Sequence, residues 1–365
     1  MGFRCGIVGL PNVGKSTLYN ALLQTAAAQA ANYPFCTIEP NVGDVAVPDP
    51  RLEVLAKIAS SAEIVPTRLT FVDIAGLVRG ASKGEGLGNQ FLAHIREVDA
   101  IAHVLRCFED HDVTHVEGRI DPLADAATVE TELMLADLES LEKRVDALNK
   151  RARGGNKESV IQLDLVQRII ALLSDGKPAR MLERKEDEER EFRMLNLLTA
   201  KPVLYVCNVD EAAAATGNAL SKQVEAQAKA EGAGSIVISA KIEAEIAVLP
   251  MNERAEFLVA VGLNEPGLDR MIRAGYALLN LVTFFTVGPE FTHAWTIVRG
   301  AKAPQAAGAI HTDFEKGFIR SETISYEDYV AYNGEVGTRE AGKMRVEGKD
   351  YVVQDGDILY FRFAT

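Results

Sequence analysis

The chain has few cysteines, and none of them forms a recognisable pair. Four cysteines are scattered through 365 residues without a C-x-x-C arrangement, which is typical of reduced thiols rather than of a disulfide framework or a zinc site. No apolar run reaches about 18 residues, so the sequence predicts no membrane span. The N-terminus leads directly into an apolar strand pattern rather than a signal peptide. We therefore expect a cytoplasmic protein.

Positive charge is also scarce. The 39 Lys and Arg residues face 52 Asp and Glu residues, and the net charge is −13. This balance excludes a protein whose whole surface coats nucleic acid, although a local basic patch stays possible. The hydrophobic fraction of 47% and the charged fraction of 25% are ordinary for globular domains. The length predicts two or three of them.

What the chain does contain begins with a glycine loop between a strand pattern and a helix pattern. Residues 9–16 read G-L-P-N-V-G-K-S, the pattern of a phosphate-binding P-loop. Backbone N–H groups of such a loop bind phosphate oxygens, and the helix N-terminus adds positive charge. We predict that Lys15 reaches the β- and γ-phosphates as a catalytic residue and that the Ser16 hydroxyl binds Mg²⁺. The predicted phosphate-binding residues are Asn12, Val13, Gly14, Lys15, Ser16 and Thr17.

Two further segments predict a magnesium-dependent switch. Asp73 and Gly76 form a D-x-x-G motif at the end of a strand pattern. Asp73 fits the Mg²⁺ shell, and the Gly76 N–H can meet the γ-phosphate. Thr37 lies in the loop after the first helix, where its hydroxyl would complete a metal set of Ser16, Thr37 and Asp73. Such loops are ordered by the triphosphate and released after hydrolysis.

The base-recognition motifs depart from those of guanine-specific enzymes. Residues 208–211 read N-V-D-E where a translation-factor-type GTPase carries N-K-x-D, and residues 239–241 read S-A-K. In N-K-x-D the aspartate accepts two hydrogen bonds from guanine, and the lysine covers the base. Adenine lacks that pair of donors, so we predict that ATP binds at least as well as GTP. The predicted base-site residues are Asn208, Val209, Glu211, Ser239, Ala240 and Lys241.

Hydrolysis is predicted to be slow. Leu77 follows Gly76, where many such enzymes carry a glutamine that orients the attacking water, and leucine cannot form that hydrogen bond. His111 and His115 lie in a later polar loop, and we favour His115 as a catalytic residue. The alternative is that each is an ordinary surface histidine.

Cys36 stands directly before Thr37. Oxidation of its thiol would add bulk beside the predicted magnesium site, which makes a redox brake one hypothesis. The other is that Cys36 is simply a small apolar loop residue.

Strand patterns that alternate with helix patterns predict right-handed βαβ units and a doubly wound, mostly parallel α/β sheet. Apolar residues at steps of three and four, on two arms around Gly154 and Gly155, predict an inserted, coiled-coil-like helical hairpin. Six basic residues between Lys143 and Lys157 form either a solvated tip or a surface for RNA phosphate. The predicted domains are a nucleotide-binding domain (1–128 and 200–281), the hairpin (129–199) and a small C-terminal domain (282–365).

Taken together, the motifs resemble the YchF or Obg-like ATPase family. The match is carried, in order, by G-L-P-N-V-G-K-S, N-Y-P-F-C-T-I-E-P-N, D-I-A-G-L, G-A-S-K-G-E-G-L-G-N-Q-F, N-V-D-E and S-A-K. Residues 308–320 and 355–358 resemble that family's TGS domain, a ubiquitin-like β-grasp. The resemblance implies a P-loop ATPase of the GTPase superfamily that associates with ribosomes and is often sensitive to oxidation. It also implies a mobile loop histidine, matched here by His115.

Three functions stay open at this point. The first is a slow ATP-hydrolysing switch, with Mg²⁺ as cofactor and with the large ribosomal subunit and its RNA as expected partners of a monomer. The second is an ATP-gated binding module with little hydrolysis. The third is a GTP-specific, translation-associated GTPase, which the N-V-D-E motif disfavours.

Overall fold

A computed structural model of the chain describes residues 3–30, 41–74, 87–110 and 120–364. The chain divides into two compact units. The described residues of the first unit fall within 1–27, 38–43 and 70–275, and those of the second fall within 28–37, 44–69 and 276–365. Within the described ranges, no helix combines the length and the hydrophobicity that a membrane span needs.

The strands of the described residues form two sheets. In chain order they are β1 (Arg4–Val8), β2 (Val42–Ala46), β3 (Glu63–Val65), β4 (Arg68–Asp73), β5 (Ala100–Arg106), β6 (Val203–Asn208), β7 (Gly234–Ile238), β8 (Leu281–Val287), β9 (Phe291–Val298), β10 (Phe318–Ile324), β11 (Arg345–Glu347) and β12 (Ile358–Phe363). The helices are α1 (Lys15–Ala30), α2 (Arg51–Ala59), α3 (Leu87–Glu97), α4 (Pro122–Arg153), α5 (Lys157–Ser174), α6 (Glu189–Met194), α7 (Ala219–Glu231), α8 (Ala240–Val248), α9 (Met251–Ala260), α10 (Gly267–Leu278), α11 (Ala303–Ile310), α12 (Thr312–Lys316), α13 (Tyr326–Ala331) and α14 (Glu335–Glu340).

The first sheet has the strand order β2-β4-β1-β5-β6-β7. The pairs of β1 with β4, β1 with β5, β5 with β6 and β6 with β7 are all parallel. Strands β5 and β6 are buried along their whole length, as strands covered on both faces must be. The predicted mostly parallel, doubly wound sheet is confirmed. Because β4, β1, β5, β6 and β7 run the same way, the carboxyl ends of β1, β4, β5 and β6 lie at one edge of the sheet.

The inserted hairpin consists of α4 and α5, which pack through a continuous apolar cluster that includes Leu141, Leu165 and Ile169. Helix α4 begins at Pro122, because Asp121 accepts a hydrogen bond from the Ala124 N–H and proline is favoured at the first helical position. The chain reverses after Arg153, and the Asn156 side chain caps α5.

The buried Asp137 of α4 anchors the segment that leads back into the sheet. Its carboxylate accepts hydrogen bonds from the Leu198 N–H at 2.9 Å, the Thr199 N–H at 2.8 Å and the Thr199 hydroxyl at 2.7 Å. Burial raises the pKa of Asp137, while these donors oppose that rise. The insertion is therefore tied to the chain just before β6 by one buried carboxylate.

The second sheet has the order β11-β10-β12-β8-β9-β3. Strands β8 and β9 form an antiparallel hairpin, β12 runs parallel to β8, and α11 packs its buried alanines on the sheet with Phe284 and Leu359. This is the predicted β-grasp arrangement.

The boundary of the second unit differs from the predicted domain division. Residues 44–69, which the sequence assigns to the nucleotide-binding domain, pack with the C-terminal residues. Strand β3 adds to the edge of the sheet parallel to β9, and Leu52 and Leu55 of α2 enter an apolar cluster with Phe285 and Ile358.

Candidate nucleotide site

The loop between β1 and α1 has the backbone that a phosphate site requires. Gly14 has φ +91°, in the left-handed region that glycine tolerates best. A Cβ at Gly14 would lie 2.2 Å from Asn208 Nδ2, and one at Gly9 would lie 2.9 Å from the Val104 carbonyl oxygen. Both glycines thus allow the loop to lie directly against its neighbours.

Asn208, at the end of β6, joins the two loops that flank the site. Its Nδ2 donates to the Val13 carbonyl at 2.9 Å, and its Oδ1 accepts from the Ala240 N–H at 2.9 Å. The side chain is buried. One amide therefore fixes the P-loop relative to the S-A-K segment.

Beyond Asn208, neither carboxylate of the N-V-D-E motif stands free. Asp210 Oδ1 accepts from the Ala213 N–H at 3.0 Å and caps a short 3₁₀ turn. The partly exposed Glu211 forms an ion pair with Lys241. This pairing lowers the pKa of Glu211 and raises the pKa of Lys241. The motif's acidic groups are thus already engaged by protein donors.

Val209 and Ser239 are buried beside these charges. The Val209 N–H donates to the Ile238 carbonyl at 2.9 Å. The position of the lysine that covers the base in N-K-x-D is therefore occupied here by a buried, apolar side chain. The Ser239 hydroxyl has no hydrogen-bond partner among the residues that the structure describes.

At the phosphate end, Lys15 forms an ion pair with Asp73, which ends β4. Ser16 and Thr17 are exposed on the first turn of α1. A hydroxyl and a carboxylate are oxygen ligands of the kind that Mg²⁺ prefers, so these residues fit that metal. Tyr19 of α1 was not predicted as a site residue. Its hydroxyl is buried, and burial together with the charge of Asp73 raises the pKa of Tyr19 to about 12.

A cleft of about 750 Å³ extends from the P-loop to the N-V-D-E and S-A-K segments, and this volume is suited to a nucleotide. Its described lining comes from the loops at the carboxyl edge of the sheet, and consists of Leu10, Pro11, Asn12, Gly14, Lys15, Ser16, Thr17, Phe108, Glu109, Asp110, Asn208, Val209, Asp210, Glu211, Ala240 and Lys241. The structure thereby brings together most of the predicted phosphate and base residues. It also adds Phe108, Glu109 and Asp110, which follow β5 directly before the predicted His111 and were not themselves predicted as site residues.

Several predicted residues lie outside the described ranges, so their roles stay predictions. They are Cys36, Thr37, Gly76, Leu77, His111 and His115. The three described cysteines, Cys5, Cys107 and Cys207, are free and buried.

Comparison with known proteins places this geometry in a family. Residues 4–136 match a family model described as "50S ribosome-binding GTPase", and residues 281–364 match the YchF-GTPase_C model, described as "Protein of unknown function". The chain is 56% identical over 363 residues to "Ribosome-binding ATPase YchF" of Haemophilus influenzae, a match that covers 100% of this chain and 99% of that protein. The chain belongs to the YchF family. The predicted family is thereby confirmed.

Other YchF proteins agree over the full length. The Bacillus subtilis "Ribosome-binding ATPase YchF" is 52% identical over 365 residues, which is 100% of both chains. The solved YchF GTPase of Schizosaccharomyces pombe is 38% identical with a TM-score of 0.89, and the match covers 99% of this chain and 98% of that one. The predicted fold class is therefore confirmed for the whole chain. Membership of this P-loop family implies nucleotide binding.

Proposed function

We propose that this YchF-family chain is a Mg²⁺-dependent ATPase that acts as a slow nucleotide switch on the ribosome. The observation that carries the nucleotide assignment is the engagement of both carboxylates after Asn208. Asp210 caps its own turn, and Glu211 is neutralised by Lys241. Guanine recognition needs a free carboxylate to accept from its N1–H and 2-amino groups, and adenine needs none. The related proteins of H. influenzae and B. subtilis are named ATPases, which supports the same assignment.

The phosphate end supplies the hydrolytic part of the proposal. Lys15 would exchange Asp73 for the β- and γ-phosphate oxygens, and Asp73 would then be free to accept from metal-bound water. Ser16 and, as a prediction, Thr37 would complete the oxygen set that holds the metal. When bound, Mg²⁺ neutralises charge that develops on the phosphate oxygens. His115 is our choice for orienting the attacking water, and slow turnover is expected because positioning supplies much of the rate in phosphoryl transfer.

The nucleotide preference is tested with Val209→Lys/Glu211→Asp, which restores N-K-x-D. We expect the wild-type protein to bind ATP at least as tightly as GTP, and the double variant to shift the ratio of dissociation constants about tenfold towards GTP. The reason is that an aspartate side chain at position 211 would be too short to keep the ion pair with Lys241. Calorimetric titration with both Mg²⁺–nucleotides measures the shift.

Glu265→Asp is the matched control, since Glu265 is also a partly exposed glutamate in an ion pair, with Arg273. It should leave the ratio unchanged. Wild-type protein that binds GTP about tenfold tighter than ATP would contradict the proposal and favour the GTP-specific alternative.

We also propose the ribosome as the partner, which would place the protein in the cytoplasm. The names of the related proteins of H. influenzae and B. subtilis, which are called ribosome-binding, support this. The hairpin offers a surface: its tip exposes the basic residues Lys143, Arg144, Lys150, Arg151, Arg153 and Lys157. Within the part of the chain that the structure describes, these basic residues have weak acidic partners, as in the exposed ion pair of Lys143 with Glu139. Such a cluster suits RNA phosphate.

Ribosome co-sedimentation separates a switch from a binding module with little hydrolysis. We expect more protein to pellet with ribosomes in the presence of a non-hydrolysable ATP analogue than with ADP, and we expect release on ATP turnover.

Arg151→Glu/Arg153→Glu at the hairpin tip should reduce pelleting several-fold at low salt, since each lost phosphate contact weakens binding. Lys222→Glu/Lys229→Glu on the exposed face of α7 makes the same charge change and should pellet normally. Equal loss in both pairs would argue against the hairpin tip, and pelleting that ignores the nucleotide would argue against the switch.

A further inference from the structure

One buried cation near the cleft has no role in the P-loop motifs. Arg106 is the last residue of β5, and only 1% of it is exposed. Burying a guanidinium costs desolvation free energy unless its N–H groups find acceptors, so the groups that accept from Arg106 indicate its role. Its Nε donates to the Phe108 carbonyl at 3.2 Å, and its Nη2 donates to the Asp110 carbonyl at 3.2 Å.

Two further contacts act on the same short loop. The guanidinium carbon of Arg106 lies 4.7 Å from the centre of the Phe108 ring, which is within cation–π range. In addition, the Asn218 side chain at the start of α7 donates to the Cys107 carbonyl at 2.6 Å. Side-chain donors therefore hold three carbonyls of residues 107–110, so the loop is fixed by its neighbours.

Phe108, Glu109 and Asp110 line the nucleotide cleft together with the P-loop and the N-V-D-E segment. We propose that Arg106 is a positioning residue for nucleotide binding: it holds Phe108–Asp110 as a preformed wall of the cleft. This rests on the proposed function and deepens it. The wall acts through its shape, because the guanidinium itself is buried and Arg106 is not among the described residues that line the cleft.

Arginine suits this task and lysine does not. A planar guanidinium can donate to two carbonyls while it stacks on a ring, whereas a lysine ammonium is a point donor without that geometry. Arg106→Lys should therefore keep the charge and recover only part of the function. Arg106→Met keeps the length of the side chain and removes every donor.

The alternative is that Arg106 only stabilises the fold, and Arg180 provides the matched control. Arg180 is also largely buried, in the same unit, and it pairs with Glu130 at 2.8 Å. It does not line the nucleotide cleft. Arg180→Met should lower the melting temperature as Arg106→Met does, without changing nucleotide affinity.

Steady-state kinetics with ATP and GTP, together with thermal unfolding, distinguish a positioning role of Arg106 from a purely structural one. We expect Arg106→Met to raise the KM for ATP about tenfold or more, with a smaller fall in kcat, and to change the ratio of ATP to GTP affinity. Arg106→Lys should fall between Arg106→Met and wild type. Arg180→Met should keep KM within about twofold of wild type.

A KM and an ATP-to-GTP ratio that are the same in Arg106→Met and Arg180→Met would overturn the inference. If Arg106→Met does not fold, an unchanged KM in Arg106→Lys overturns it instead. Wild-type protein that prefers GTP would refute the proposed ATP preference, while a raised KM for GTP in Arg106→Met would still support the positioning role.

Discussion

Replacing Gly14 with alanine should weaken ATP binding at least about 100-fold while the chain still folds. The reason is that the new side chain would displace Asn208, which connects the P-loop to the S-A-K segment. Gly14 has φ +91°, where an alanine costs about 1–2 kcal/mol. The larger effect is steric: the new Cβ would lie 2.2 Å from Asn208 Nδ2. Asn208 is not the flexible end of a surface side chain, since its amide is held at both ends.

Moving that amide would break two hydrogen bonds, to the Val13 carbonyl and from the Ala240 N–H. Each buried group left unsatisfied costs about 1–3 kcal/mol, and the two flanking loops lose their relative position. The site would then be misaligned at the phosphates and at the base together. Calorimetric titration of ATP into Gly14→Ala measures the loss.

Gly155→Ala is a matched control for the backbone term alone. Gly155 has φ +84°, and among the described residues none beyond its chain neighbours has an atom within 4 Å of the position that its Cβ would take. It should show a small loss of stability and normal ATP affinity. Asn208→Ala tests the mechanism: if the clash is with this side chain, adding Gly14→Ala to Asn208→Ala should cost much less than Gly14→Ala costs in wild type. Gly14→Ala that binds ATP like Gly155→Ala would refute this account.

The parts of the molecule that the sequence predicts are those that local pattern determines. The P-loop is a contiguous motif between a strand and a helix, so its backbone, its glycine and the position of Lys15 follow from residues 3–17 alone. The parallel sheet and the hairpin follow from hydrophobic periodicity, which reports the face that each element buries.

What the sequence misses depends on contacts between distant residues. Strand β3 has only three residues, and it joins β9 across more than 200 positions of chain, so residues 44–69 carry no local signal of the unit that they join. Arg106 is similar: an arginine at the end of an apolar strand is visible in the sequence, but its acceptors are backbone carbonyls, which every residue offers. The base motif is visible in the sequence, yet the pairing of Glu211 with Lys241 depends on how β6 and β7 bring their loops together.

Asp137 has the second large expected effect, on stability. We expect Asp137→Ala to lower the free energy of unfolding by about 3–5 kcal/mol, measured by urea denaturation. The substitution leaves the N–H groups of Leu198 and Thr199 buried without an acceptor, and each such group costs about 1–3 kcal/mol. Asp164→Ala on α5 is the control, since Asp164 is 70% exposed and its ion pair with Arg168 is long, at 3.6 Å. It should unfold like wild type.

The Thr199 hydroxyl extends the same network, because it donates to Asp137 and accepts from the Ala179 N–H at 3.1 Å. Thr199→Val should therefore be destabilising by itself, and its effect should shrink when Asp137 is already alanine. Fully additive losses would show that the two residues act separately, and a loss below about 1 kcal/mol for Asp137→Ala would refute the anchor.

The anchor also bears on the proposed switch, because the segment that Asp137 holds leads directly into β6, whose last residue is Asn208. If α4 were released at this point, the hairpin could move without carrying the nucleotide site with it. At temperatures where Asp137→Ala is still folded, we therefore expect near-normal ATP affinity together with a weaker dependence of ribosome pelleting on the bound nucleotide. A network of buried hydrogen bonds has few alternative arrangements, so it can transmit a small shift of β6 into the base of α4. Loss of ATP affinity in step with stability would instead make Asp137 a support of the nucleotide site itself.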